Sequence, residues 1–228
     1  MKARLISATD LAPGIRHFEF EALDTDAFAF VPGQFISLKH DVASKQITRA
    51  YSLASPPRGN RFDLCLNLVP HGLFSAHLFT LKPGAEIEFS TPLGYFTVRD
   101  PSRDLLFIAT GTGVAPFRSM VWSHLDKIRS RVSLLFGTRY EEAILYRAEF
   151  EEGTRKYENF SYWPTLTKAG ATWQGRTGRV QAHLEEALAG RMDIDIYLCG
   201  LKEMVDDVRN RLKQSGYDRK QIIYEKYD

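Results

Sequence analysis

Several things are scarce in this sequence, and each scarcity removes a class of protein. Among 228 residues there are only two cysteines, Cys65 and Cys199, far apart in the chain. They give no disulfide framework and cannot supply the four thiolates that hold an iron–sulfur cluster. No apolar run is long enough to span a bilayer, and the charged start MKARLISATD lacks the apolar core of a signal peptide. A cytoplasmic location without membrane insertion is therefore expected. Net charge is small as well: 30 basic against 28 acidic residues, a formal +2, with the basic residues scattered. Such a surface carries no nucleic-acid footprint, although its mild basicity suits an acidic protein partner. What is present is 44% hydrophobic and 25% charged sequence, unlike a disordered chain and sufficient for one large core or two modest ones.

The two halves have different rhythms. Up to about Val98, short apolar runs (IRHFEFEAL, GQFISLKH, RFDLCLNLV, AEIEFSTP) are separated by Gly, Pro and Asn turns, the pattern of an antiparallel sheet or barrel. Only SAHLFTLK interrupts with helical spacing. After the polar DPSRD the pattern becomes strand then helix, repeated. LLFIAT precedes PFRSMVWSHLDKI, VSLLFG precedes ILYRAEFEEGTRKY, FSYWPTL precedes RVQAHLEEALAG, and IDIYLCG precedes KEMVDDVRNRLKQSG, with QIIYEKY last. That alternation predicts a doubly wound parallel sheet. The expected division is residues 1–99 as a β-barrel domain and 100–228 as an α/β domain.

In FIATGTGVAPFRSM, an apolar strand runs into Gly111-Thr112-Gly113, and Pro116 falls where a first helical turn accepts it. Glycines allow a tight turn and close approach of phosphate to backbone N–H groups, and a helix start carries partial positive charge. A dinucleotide pyrophosphate suits this place, although Pro116 stands where the last glycine of the full fingerprint would be. A plain tight turn is the bland alternative. Arg139 ends the second strand of this half, Thr167 and Lys168 end the third, and Arg176 lies beyond. Side chains of these types can hold a 2′-phosphate, which favours NADP over NAD. Glu141 and Glu142 close by keep NAD open.

The first half contains RAYSLAS, with Arg49, Tyr51 and Ser52 within four positions. On a strand Arg49 and Tyr51 share a face, and Ser52 points the other way unless the strand ends there. Pro56, Pro57 and Gly59 predict that it does. RAYS, HGLFS, GTGVAPFRS, YLCGLKEMV and YEKY occur in this order across nearly the whole chain. Together they resemble the ferredoxin–NADP reductase family: flavoproteins with an antiparallel FAD-binding β-barrel followed by a doubly wound parallel-sheet NADP-binding domain.

The resemblance implies roles for these residues. Arg49, Gly72 and Ser75 would hold the FAD diphosphate, Tyr51 would lie against the isoalloxazine, and Ser52 would hydrogen-bond near flavin N5. Cys199, at the end of the fourth parallel strand, would help position the nicotinamide, whereas Cys65 is expected as an inert core thiol. Glu225 would join the polar setting of hydride transfer from NADPH to FAD. Tyr227 would cover the second flavin face and yield to nicotinamide, with Asp228 making the placement of the tail uncertain. A chain unable to house its own cluster would pass single electrons to a separate ferredoxin or flavodoxin. Three alternatives stay open: an NADH-dependent reductase component of an oxygenase system, a free-flavin reductase, and a non-catalytic flavin-binding electron-transfer subunit.

Overall fold

The computed structural model describes residues 1–42 and 45–227. Contacts divide the chain into two units: Met1–Val98 with Ala115–Ser123, and Arg99–Val114 with His124 onward. Pattern alone does not reveal that a helix from the second half packs with the first.

The N-terminal unit is a six-stranded sheet of β1 (Lys2–Ala12), β2 (Ile15–Ala22), β3 (Phe35–Val42), β4 (Lys45–Ser52), β5 (Arg61–Asn67) and β6 (Glu86–Phe89). Its order is β4-β3-β6-β1-β2-β5, and every pairing is antiparallel. The charged opening of the chain, expected only to lack a signal peptide, forms β1 and pairs with β2 and β6. Alternating apolar residues point inward, and Phe18, Phe20, Phe28, Phe62 and Phe89 stack into one aromatic core. Helix α1 (Leu73–Thr80) adds Phe74 and Leu78 to that core.

The second unit is a parallel sheet of β7 (Asp104–Thr110), β8 (Val132–Thr138), β9 (Phe160–Leu166), β10 (Arg176–Thr177), β11 (Ile194–Leu201) and β12 (Ile222–Tyr227). The order β10-β9-β8-β7-β11-β12 reverses direction at β7, as a doubly wound sheet does. The inner strands are apolar throughout because both faces are covered. Helix α2 (Ala115–His124) follows β7, α3 (Arg147–Lys156) follows β8, and α5 (Lys202–Gln214) follows β11.

The segment RVQAHLEEALAG differs from its expected single helix. It forms a 3-10 turn, Val180–His183, and then a short α4, Leu184–Leu188. The His183 ring is held by the Thr165 hydroxyl at 3.2 Å and the Thr177 carbonyl at 2.9 Å, and Ala189 leaves the helix in left-handed geometry, φ 49°. These constraints cut the helix at both ends. No helix among the described residues is long and apolar enough to cross a membrane.

Candidate functional site

In the N-terminal unit β4 lies at one edge of the sheet and ends at Ser52, ahead of Pro56 and Pro57. Tyr51 lies opposite Ile36 and Arg49 opposite Leu38, so the phenol and the guanidinium share the face that carries the core. Tyr51 is half-buried with its ring 6.1 Å from Phe74 of α1. Burial pushes its hydroxyl up to about 12, against the opposing pull of Arg49, so the ring is neutral at physiological pH. Arg49 is exposed and donates from Nη1 to the Thr48 carbonyl at 2.8 Å. Ser52 is buried.

Helix α1 starts behind a built turn. His71 sits in left-handed geometry at φ 59°, the Gly72 amide donates to the Val69 carbonyl at 2.9 Å, and the Ser75 hydroxyl accepts from the Val69 amide at 3.0 Å. No side chain caps this helix, so its first-turn N–H groups are donors for an anion. A Cβ at Gly72 would come within 2.9 Å of the Val69 side chain and 3.1 Å of the Ser75 hydroxyl, hence glycine. A flat aromatic plate, a guanidinium and uncapped amides on one unit form a donor set that fits a flavin dinucleotide.

In the parallel unit the strand ends do the positioning. The Gly111–Val114 segment is a 3-10 turn with Gly111 at φ +54°, and Pro116 is buried as the second residue of α2. A Cβ on Gly113 would meet the Cys199 carbonyl carbon at 2.6 Å and Gly200 Cα at 2.8 Å. Gly200, at φ +141°, has equally little room, because a Cβ there would meet the Thr110 backbone oxygen at 2.9 Å. The Leu201 amide donates to the Thr110 hydroxyl at 3.3 Å. The Gly-Thr-Gly turn and the Cys-Gly turn are thus packed backbone to backbone, which only glycine permits, and the Thr112 side chain remains half-buried between the two glycines.

Cys199 is fully buried, and its register partner on β12 is Glu225. Burial, with the Glu225 charge adding to it, pushes the Cys199 thiol well up, while a hydrogen bond from the Tyr227 hydroxyl works the other way. Glu225 is pushed up to about 7 by burial. A protonatable carboxyl, a neutral thiol and a phenol therefore meet at the end of β11 and β12. Cys65 is buried within β5.

At the ends of β8 and β9 the Lys168 amide donates to the Arg139 carbonyl at 2.8 Å and the Thr167 amide to the Thr138 carbonyl at 3.0 Å. The Lys168 ammonium is 3.3 Å from the Tyr140 hydroxyl and 5.6 Å from its ring centre. Tyr140 is 42% exposed. Arg139, Thr167 and Lys168 are thus brought together, with an exposed aromatic plate that sequence reasoning missed although it follows Arg139 directly. Arg176, on β10, pairs with Thr165 of β9, and its side chain donates to Glu186 at 2.6 Å and lies over Trp163 at 4.3 Å. Glu141, which kept the alternative coenzyme open, accepts from Arg147 at 2.6 Å. Among the described residues no group of three or more His, Cys, Asp or Glu is placed to hold a metal ion. Asp228 lies outside the described residues.

Fold and donor sets together define a two-part flavoprotein oxidoreductase with one unit for a flavin dinucleotide and one for a nicotinamide dinucleotide. Comparison with known proteins agrees. Residues 2–98 match the oxidoreductase FAD-binding domain, and residues 107–210 match the oxidoreductase NAD-binding domain. Ferredoxin–NADP reductase B of Sorangium cellulosum is 40% identical over the whole of this chain and 97% of that protein. The chain belongs to the ferredoxin–NADP reductase family, and FAD and a nicotinamide dinucleotide are its cofactors. The reductase component of phenol 2-monooxygenase from Pseudomonas sp. is 35% identical over 96% of this chain, which spans only 63% of that longer protein. A ferredoxin NADP+ reductase structure from Neisseria gonorrhoeae, with FAD and NADP bound, superposes with a TM-score of 0.85 at 22% identity, covering 99% of this chain and 98% of that one. At that identity it speaks for the fold.

Proposed function

We propose that the chain is a ferredoxin or flavodoxin–NADP reductase, exchanging reducing equivalents between NADPH and a separate small electron carrier. The observation that carries the coenzyme choice is the group formed by Arg139, Tyr140, Thr167 and Lys168. Two cations and a hydroxyl fit a 2′-phosphate, and an exposed ring fits the adenine beside it. The nearby Glu141 is already paired with Arg147, so its carboxylate is engaged elsewhere. Whole-length similarity to a ferredoxin–NADP reductase supports the same reading.

In this reading bound FAD supplies the chemistry, taking two electrons as hydride from the nicotinamide and passing them on singly. Arg49, Gly72 and Ser75 hold its diphosphate, Tyr51 supports the flat ring, and Ser52 offers a hydroxyl to its polar edge. Gly111, Thr112, Gly113 and Pro116 receive the nucleotide pyrophosphate. Arg176 acts indirectly by fastening its loop to Glu186 and Trp163. Cys199 and Tyr227 would shape the place for the nicotinamide at the ends of β11 and β12. Glu225, with its carboxyl near 7, holds or releases a proton under physiological conditions. These 228 residues hold only two cysteines and so no cluster of their own, and this reading takes a separate ferredoxin or flavodoxin as the acceptor. Two cysteines far apart in the sequence accord with work in the reducing cytoplasm.

A second reading, an NADH-dependent oxygenase reductase, draws support from the similarity to the phenol 2-monooxygenase component. An anaerobic titration of the purified, desalted protein with NADPH and NADH separates the two. Faster flavin bleaching by NADPH is expected, and Arg139→Ala with Lys168→Ala should erase the preference by weakening NADPH while sparing NADH. Preference for NADH in the wild type would overturn the NADP assignment.

A further inference from the structure

Asp63 is one of the most buried ionisable groups in the N-terminal unit, with its side chain 3% exposed in the middle of β5. Its Oδ1 accepts from Arg58 Nη2 at 2.5 Å, and its Oδ2 accepts from Arg118 Nη1 at 3.1 Å. His17 Nε2 stands 3.6 Å from the same carboxylate. Burial holds the His17 ring below its ordinary range, with Arg118 and Arg58 pushing the same way and Asp63 opposing. The ring is thereby neutral at physiological pH, and the charge on Asp63 is answered by guanidinium groups.

Arg118 belongs to α2, the helix that follows the Gly111–Val114 turn. Its Nη1 also donates to the Ala54 carbonyl at 2.8 Å, and the next residue, Ser119, donates from its hydroxyl to the Ser55 carbonyl at 2.6 Å. From the other side β5 holds the same segment: the Ala54 amide donates to the Asp63 carbonyl at 2.8 Å, and the Asp63 amide to the Ser55 hydroxyl at 3.0 Å. Ala54 and Ser55 directly continue Arg49-Ala50-Tyr51-Ser52-Leu53. Two carbonyls at the end of the flavin strand are therefore gripped by two successive side chains of the nucleotide helix.

A buried ion pair is a poor way to add stability, since apolar residues of similar volume do as well once desolvation is counted. It is a good way to fix geometry. A planar guanidinium that must satisfy both a carboxylate and a carbonyl permits one rotation and one height of the helix, which an apolar contact would not. We infer that Arg118, with Asp63 and Ser119, is a positioning clamp that seats α2 on the end of the flavin strand and supports the rate of flavin reduction. This inference rests on the proposed reductase function.

The test uses the FAD-loaded protein and compares wild type, Arg118→Met, Arg118→Lys and Ser119→Ala. Arg118→Met should raise hydrogen exchange in residues 53–55 and 115–119. It should also lower the limiting rate of flavin bleaching at saturating NADPH by about 10- to 100-fold, the scale of a small misplacement. FAD should stay bound, the half-saturating NADPH concentration should change little, and Arg118→Lys should recover part of the rate. If Arg118→Met does not fold, Ser119→Ala gives the same pattern with a smaller fall in rate. An unchanged limiting rate in the folded variants, or loss of FAD in parallel with rate, overturns the clamp. A wild-type flavin that neither NADPH nor NADH bleaches would instead defeat the proposed function, and the exchange comparison would still judge the clamp.

Discussion

The two units place their cofactor residues by opposite means. In the antiparallel unit the candidates are side chains standing on one face of an edge strand, Arg49 and Tyr51, beside a helix start behind Gly72. In the parallel unit the candidates are strand ends and backbone, where Gly113 and Gly200 let two turns touch. Side chains on an exposed edge are free to change without harming the fold, whereas backbone packed on backbone is not. The first unit should therefore lose cofactor affinity before stability, and the second should lose both together.

The largest expected effect breaks the parallel unit. In Gly113→Ala the new methyl would face the backbone of Cys199 and Gly200, which cannot move aside as a side chain can. Overpacking of this kind costs about 1–3 kcal/mol, so Tm should fall by about 2–12 °C for a chain of this size. Bleaching by NADPH should fall with it. Gly111→Ala is the control, because nothing lies within 4 Å of a Cβ there and only the positive φ penalises it, by about 1–2 kcal/mol. Equal melting curves for Gly113→Ala and wild type would remove the packing argument.

The second effect concerns the antiparallel unit. Arg49→Ala removes an exposed guanidinium that donates to its neighbour's carbonyl, so the apoprotein should melt as before. FAD affinity should fall by roughly 10- to 100-fold, the scale of a charged hydrogen bond worth about 1.5–3 kcal/mol. Titration of the apoprotein with FAD measures it, and unchanged affinity would take Arg49 out of the site.

The third effect is a pH dependence. Glu225 is raised from 4.5 to about 7 in the fold. Relative to the unfolded chain, the folded state favours its protonated form, a contribution fully present below pH 4.5 and lost as pH rises through 7. Glu225→Gln cannot ionise and should remove that loss. The Tm difference between variant and wild type should thus grow in the variant's favour from pH 5 to pH 8. A difference independent of pH would show that Glu225 is not the titrating group.

Legibility followed the same division. Gly113 and Gly200 were readable because close backbone approach leaves a local mark, glycines after an apolar strand, and Gly111 because its positive φ favours glycine. RAYS gave a local geometry, a shared face for Arg49 and Tyr51, but its flavin role came only through resemblance to a family. Tyr140 was passed over because an exposed tyrosine after a strand has many uses, and only its placement beside Lys168 selects one. Arg176 has neighbours that its sequence position does not announce, Glu186 and Trp163.

By itself the sequence determined the two fold types, because hydrophobic periodicity and turn residues act over a few positions. It also determined the chemistry on offer: two thiols, a glycine turn, a strand carrying an arginine and a tyrosine. Only the tertiary structure decided that α2 packs with the N-terminal unit, that Arg118 meets Asp63 across 55 residues of chain, and that Cys199 lies in register with Glu225. Those pairings depend on which surfaces bury one another, and no local pattern encodes a partner that distant.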